Sequence, residues 1–187
     1  MRTVMTVVLG SCLLVGSSGC VGMAAKRALS EVTGASSKAV PVPGTTAGRF
    51  MQYQSVTVTN PRTDLGGLVS SKFTGALTSA VRSALTRGEG DKRAVFPGGS
   101  PTLEIEPVVM WYQEAGGLGE ILGSDSFAVV LFHMKADGNE IGRVQVATKS
   151  AAARIDEADM AKSMAKELAK FFEKGRPTKS EKRKARD

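Results

Sequence analysis

One histidine, two cysteines and two glutamates two residues apart carry most of the chemistry this 187-residue chain offers. His133 is the lone imidazole. A histidine-based triad needs a nucleophile and an orienting acid beside the ring. Here the histidine alternates with Phe127, Val129 and Leu131, so its place is a strand face. Glu104 and Glu106 also fall on one strand face. Acid/base hydrolysis of a glycoside needs two carboxyl groups about 5–9.5 Å apart across a cleft, and alternating exposure accounts for this pair without a cleft. Trp111-Tyr112 reads either as a sugar-stacking platform or as an aromatic pair at a strand end.

Glycines cluster at Gly116-Gly117-Leu118-Gly119 and Gly123. A dinucleotide fingerprint needs its glycines between a strand and a helix. The next segment here has strand character, and the lysine and hydroxyl residue of a phosphate loop are missing. The run therefore reads as a hairpin loop. Its apolar members make Gly117, Leu118, Gly119, Ile121 and Leu122 the candidate partner contact. No catalytic residue, metal site or cofactor site is expected.

The remaining chemistry belongs to the cysteines, Cys12 and Cys20. Arg2, an apolar run from Thr3 to Gly16 and Ser17-Ser18-Gly19 form a bacterial export signal. The run is broken by Gly10, Ser11 and Gly16, and a bilayer span needs about 20 apolar residues. With Cys20 directly after the small residues, the N-terminus resembles that of bacterial lipoproteins, and this implies lipidation of Cys20. Ser17 stands where such motifs usually carry Leu. Cys12 has the better local match in Leu9-Gly10-Ser11, but only about seven apolar residues precede it, at the lower edge of the usual range. Plain secretion is the alternative. Cleavage before Cys20 leaves one cysteine, consumed by lipid, so no disulfide, free thiol or zinc-binding thiolate remains. Val21 is not the Asp of an inner-membrane retention signal, so the resemblance implies an outer-membrane location facing the periplasm.

The elements that must position these residues follow from periodicity. Residues 1–19 are the signal peptide and 20–48 a lipidated, flexible tether. Residues 49–174 form one α+β domain, and 175–187 are a basic, disordered tail. Phe50–Val58 is a strand, stopped by Asn60-Pro61. Leu68–Arg87 is a helix with a stripe of Val69, Phe73, Ala76, Leu77, Ala80, Val81 and Ala84. Arg93–Phe96 is a short strand. Thr102–Gln113 is a longer one, with Pro107 marking a bulge or an edge. Ser126–Lys135 is apolar on both faces and so central. Asp137-Gly138-Asn139 turns it into a hairpin with Glu140–Thr148. Glu157–Glu173 is a last helix capped by Asp156. The expected fold is a predominantly antiparallel sheet of four to five strands with both helices on one face. That packing leaves the second sheet face to be covered by the tether, the Gly-rich loop or another protein.

This layout resembles uncharacterised bacterial lipoproteins known only as domains of unknown function. The features that carry it are the Gly-rich segment, the apolar strand Phe127–Lys135 and Asp137-Gly138-Asn139-Glu140-Ile141-Gly142. It is also similar to the αβ domains of the curli-secretion lipoprotein and of lipoproteins that activate cell-wall synthases. The resemblance implies a non-enzymatic envelope accessory bound to the membrane through its lipid. An envelope protein or further copies of the chain are the implied partners. The rival reading is a hydrolase acting on cell wall or lipid.

The chain has a formal charge of +7, and most of the excess lies in Lys174–Asp187. That tail offers attraction to anionic lipid or cell wall, at about 1 kcal/mol per basic residue near a charged surface. Nucleic acid is not an expected partner, because the RNA-binding aromatic signature is absent and the leader exports the chain.

Overall fold

The computed structural model describes residues 35–87, 93–113, 126–150 and 157–176. The strands are β1 (Ala35–Pro41), β2 (Ser55–Val58), β3 (Arg62–Thr63), β4 (Thr102–Gln113), β5 (Ser126–Ala136) and β6 (Asn139–Ser150). The helices are α1 (Ser71–Thr86) and α2 (Glu157–Glu173). The strand order is β1-β6-β5-β4-β2, with β3 also on β4. The fold is α+β, as expected, and both helices pack on one sheet face. The sheet is mixed. Its long strands run antiparallel, whereas β2 and β3 pair in parallel with β4.

The hairpin follows from local chemistry. Asp137 and Gly138 both have positive φ, 51° and 77°, the backbone that matches the twist of two paired strands. Beyond the turn, β5 alternates strictly. Ala128, Val130, Phe132 and Met134 are buried under the helices, while Phe127, Val129, Leu131 and His133 are half-buried on the other face. β5 is the central strand. Pro107 lies in β4 opposite the break between β2 and β3, since Val58 pairs with Ile105 and Arg62 with Val108. A residue without an N–H fits that gap in the ladder. The bulge falls three residues later, where Met110 is the extra residue between Val109 and Trp111.

Helix α1 starts at Ser70, whose hydroxyl accepts from the Lys72 N–H at 3.2 Å. Phe73, Leu77, Val81 and Leu85 face the sheet. Ala76, Ala80 and Ala84 lie beside Ala165 and Ala169 of α2 along the groove between the helices. Small side chains on both helices let their axes approach. The expected single stripe is thus two adjoining ones, one for the sheet and one for the neighbouring helix. From α2, Met160, Met164, Leu168 and Phe172 are buried against the sheet. Phe172 meets Phe50, Phe96 and Phe171 edge-on, with centroids 5.5, 5.2 and 5.4 Å away. Asp156 lies outside the described residues.

Four expectations need correction. Ala35–Pro41, assigned to the tether, is an edge strand paired with β6 over all seven residues. Its Ser37 hydroxyl donates to Thr148 or Ser163, each 2.8 Å away, so polar side chains suited to a linker are here satisfied inside the fold. Phe50–Val58 is not one strand. Phe50 ends a short 3-10 turn, Ala47–Phe50, and is fully buried in the aromatic cluster; only Ser55–Val58 extends. Arg93–Phe96 pairs with no strand. Val95 and Phe96 are buried, and their segment is held by Phe96 N–H on Leu85 O at 2.9 Å and by Arg176 on Val95 O at 2.9 Å. Arg176 and Gly175, assigned to the tail, therefore belong to the packed body.

Candidate binding face

The helix-free face of the sheet is ordered in rows by strand register. Ser36, Lys149, Phe127 and Gln113 form the first row, and Lys38, Ala147, Val129 and Trp111 the second. Val40, Gln145, Leu131 and Val108 form the third, with Arg62 beyond Val108. Arg143, His133 and Glu106 make the fourth, and Glu140, Lys135 and Glu104 the fifth.

These rows divide the face by charge. Every acidic side chain among the described residues of these five rows lies in the fourth or fifth. There Glu106 and Glu140 are paired with cations. Arg62 Nε contacts Glu106 Oε1, and Lys135 Nζ is 2.5 Å from Glu106 Oε2. His133 Nδ1 and Glu140 Oε2 are 2.5 Å apart, and Arg143 Nε is 3.2 Å from Glu140 Oε1. The first three rows hold apolar side chains in the middle with Lys38 and Lys149 to one side. Trp111 is 54% exposed, the bulged Met110 52% and Val40 50%. Half-buried Phe127, Val129, Leu131 and Val108 join them into a continuous strip. A cluster of exposed apolar side chains on a sheet face marks a contact surface.

The residues singled out for chemistry separate on this framework. Trp111 and Tyr112 point to opposite faces. Tyr112 turns into the core, its ring 5.1 Å from Phe73, and its hydroxyl donates to Glu157 at 2.6 Å. The two aromatics do not form one sugar platform, because alternation along a strand sends neighbours apart. Glu104 and Glu106 do share a face, as expected. Glu106 is buried to 8% exposure, and its carboxyl is held below the usual glutamate range. The hydrogen-bonded Lys135 ammonium is the main cause; burial opposes it, and the charges of Lys135, Arg62 and His133 add to it. A general acid needs the opposite shift. Among the described residues, no three of His, Cys, Asp and Glu cluster in a way that could hold a metal ion. Cys20 and the loop contact Gly117, Leu118, Gly119, Ile121 and Leu122 lie outside the described residues.

The lowered Glu106 acidity sets a pH dependence. The unfolded chain holds this proton at about the ordinary value of 4.3, and the native chain holds it less tightly. Its contribution is fully present above that value and fades as pH falls through the depressed native value. Glu106→Gln should therefore cost stability at pH 7, and the gap from wild type should narrow below about pH 4. Urea midpoints measured between pH 7 and 3 check this; a gap of constant size would contradict it.

Sequence pattern signalled the apolar strip through β5, which is apolar at both parities. It did not signal Lys38, because the β1 segment has the composition of a tether, or the Met110 bulge that turns Trp111 outward. No family model matches the chain, and no curated protein does. Among solved structures, the chain is similar to a PelC variant dodecamer from Paraburkholderia phytofirmans in space group C2. The identity is 12% and the TM-score 0.47, over 74% of this chain and 97% of that one. A PelC dodecamer from the same organism in space group P6 gives 10% and 0.45, over 72% and 94%. The functional reading rests on the face itself.

Proposed function

We propose that the chain is a non-enzymatic accessory of the cell envelope: a small α+β binding module exported by its leader and anchored through Cys20. One observation carries the binding reading. The sheet face left bare by both helices presents a continuous apolar strip ending in exposed Trp111 and Met110. Beside it, Arg62 and Lys135 pair with Glu106 and favour its ionised form, an arrangement that orders a surface rather than shuttling protons. Among the described residues, no helix is long and apolar enough to cross a membrane. Association with the outer membrane falls to the lipid, and two or more acyl chains anchor firmly. The basic residues beyond Arg176 add attraction to anionic lipid or cell wall.

Two measurements test this. The mass of the mature N-terminal peptide should show Cys20 first and acylated; a native chain found uncleaved among cytosolic proteins would end the anchor reading. Photo-crosslinking side chains placed at Val129 and at Thr78 on α1 should give products in intact cells at the first position and not the second. Equal yields would remove the sheet face as the contact.

A further inference from the structure

We infer that the occupant of this face is an anionic lipid surface, met by its first three rows with Trp111 at the polar–apolar boundary. This inference rests on reading the helix-free face as the contact and names what it touches.

Three observations converge. The first is composition. The strip of Phe127, Val129, Leu131 and Val108 is flanked by Trp111 on β4 and by Lys38 and Lys149 on β1 and β6. Tryptophan and lysine beside apolar side chains are the chemistry of a bilayer interface. The second is charge. The acidic residues of the five rows are confined to the fourth and fifth, where Arg62, Lys135, His133 and Arg143 pair with Glu106 and Glu140. The other end keeps two lysines and no acid among its described residues, so it complements a negative surface. From Lys38 to Trp111 is three strand spacings, about 14 Å, wide enough to touch several headgroups. The third is where the chain enters. Ala35, Ser150 and Ser126 pair across the sheet just beyond the first row, with their side chains on the helix side. The 14 residues between Cys20 and Ala35 reach at most about 50 Å when fully extended. A lipid on Cys20 thus tethers the chain at the uncharged end of the sheet. Tethering at such length raises the effective concentration of the face at the surface, so a weak patch is enough.

Trp111 is the only tryptophan in the chain, so its emission reports on this face alone. The native protein is placed in vesicles of phosphatidylglycerol and phosphatidylcholine whose acyl chains carry a spin-label quencher; phosphatidylcholine alone serves as the control. The expected result is a shift of emission to shorter wavelength, with quenching, in the anionic vesicles. K38E with K149E should lower the ratio of docked to undocked protein by at least about 30-fold, since each lysine near an anionic surface is worth about tenfold or less and reversal adds repulsion. K38R with K149R should restore it. Both pairs are exposed and should leave the circular dichroism unchanged.

Unquenched Trp111 in folded, acylated protein would overturn the inference and leave the anchor standing. If mass analysis shows no acyl chain, the soluble protein is added to the same vesicles, and quenching there supports the face without the anchor. Loss of quenching on removal of residues 177–187 would assign the attraction to the tail and overturn the inference. So would a shielded Trp111 in lipid-free solution at a mass of two or more copies, because a second copy would then cover the face.

Discussion

Phe172→Ala is expected to lower unfolding free energy by about 3–5 kcal/mol, the range for deleting a fully buried aromatic ring. Phe172 has no exposed surface and contacts three other rings. These rings come from three places: the 3-10 turn at Phe50, the irregular segment at Phe96 and α2 itself. Neither Phe50 nor Phe96 sits in a strand, so no ladder holds either one if the ring is lost. The cavity should therefore loosen two connections as well as cost transfer energy. Urea or thermal unfolding followed by circular dichroism measures the loss. Phe172→Leu should recover about half or more of it, since a residual cavity costs in proportion to its volume. A loss below about 1 kcal/mol for the alanine variant would show that the cluster is not central to stability.

Gly175→Ala should also be strongly destabilising, by about 3 kcal/mol, at the upper end of the overpacking range. A Cβ built at Gly175 would lie 2.4 Å from the Ala47 carbonyl carbon, 2.5 Å from its oxygen and 2.7 Å from the Gly48 nitrogen. All three are backbone atoms, so no side chain can swing aside. The residue follows α2, where its N–H donates to Phe172 O at 3.0 Å, and the next residue clips the 94–95 segment through its guanidinium. Relief would have to come from moving the turn that carries Phe50. For a domain of this size the loss is a fall in Tm on the order of 10 °C. Gly138→Ala offers a comparison: its added Cβ meets nothing within 4 Å, so its cost is confined to the φ of 77°. Equal melting points for Gly175→Ala and wild type would mean that the two backbones separate freely.

Much of this architecture was legible in the chain. Helix α1, helix α2 and the β5–β6 hairpin were each expected within a few residues of where they stand, because their side chains repeat with the period of their own element. The same holds for the helix-on-one-face packing, which an alternating sheet and two amphipathic helices dictate. The segments that misled were those whose partners are distant in sequence. Ser36 and Ser37 look like linker until Thr148 and Ser163, more than a hundred residues away, complete their hydrogen bonds. Phe50 has the β-favouring character of a strand residue, yet tertiary packing with Phe171 and Phe172 draws it into a 3-10 turn. Propensity gives way where ring burial is worth more than a strand's local preference.

The candidate face shows the same division. Sequence alone determined that β5 is apolar at both parities, and hence that two helices could not cover all of it. It also displayed the apolar run after Arg2, the cysteine that follows it and the cationic excess toward the C-terminus. Only the tertiary structure decided which side chains share the bare face, because register comes from pairing between strands and a bulge at Met110 resets it. That reset puts Trp111 beside Val129 and Tyr112 in the core. Pairing likewise gathers Glu106 and Glu140 with their cations at one end and leaves Lys38 and Lys149 at the other. The physical reason is that periodicity records which way one strand's residues point, whereas the makeup of a surface depends on which strands lie next to each other.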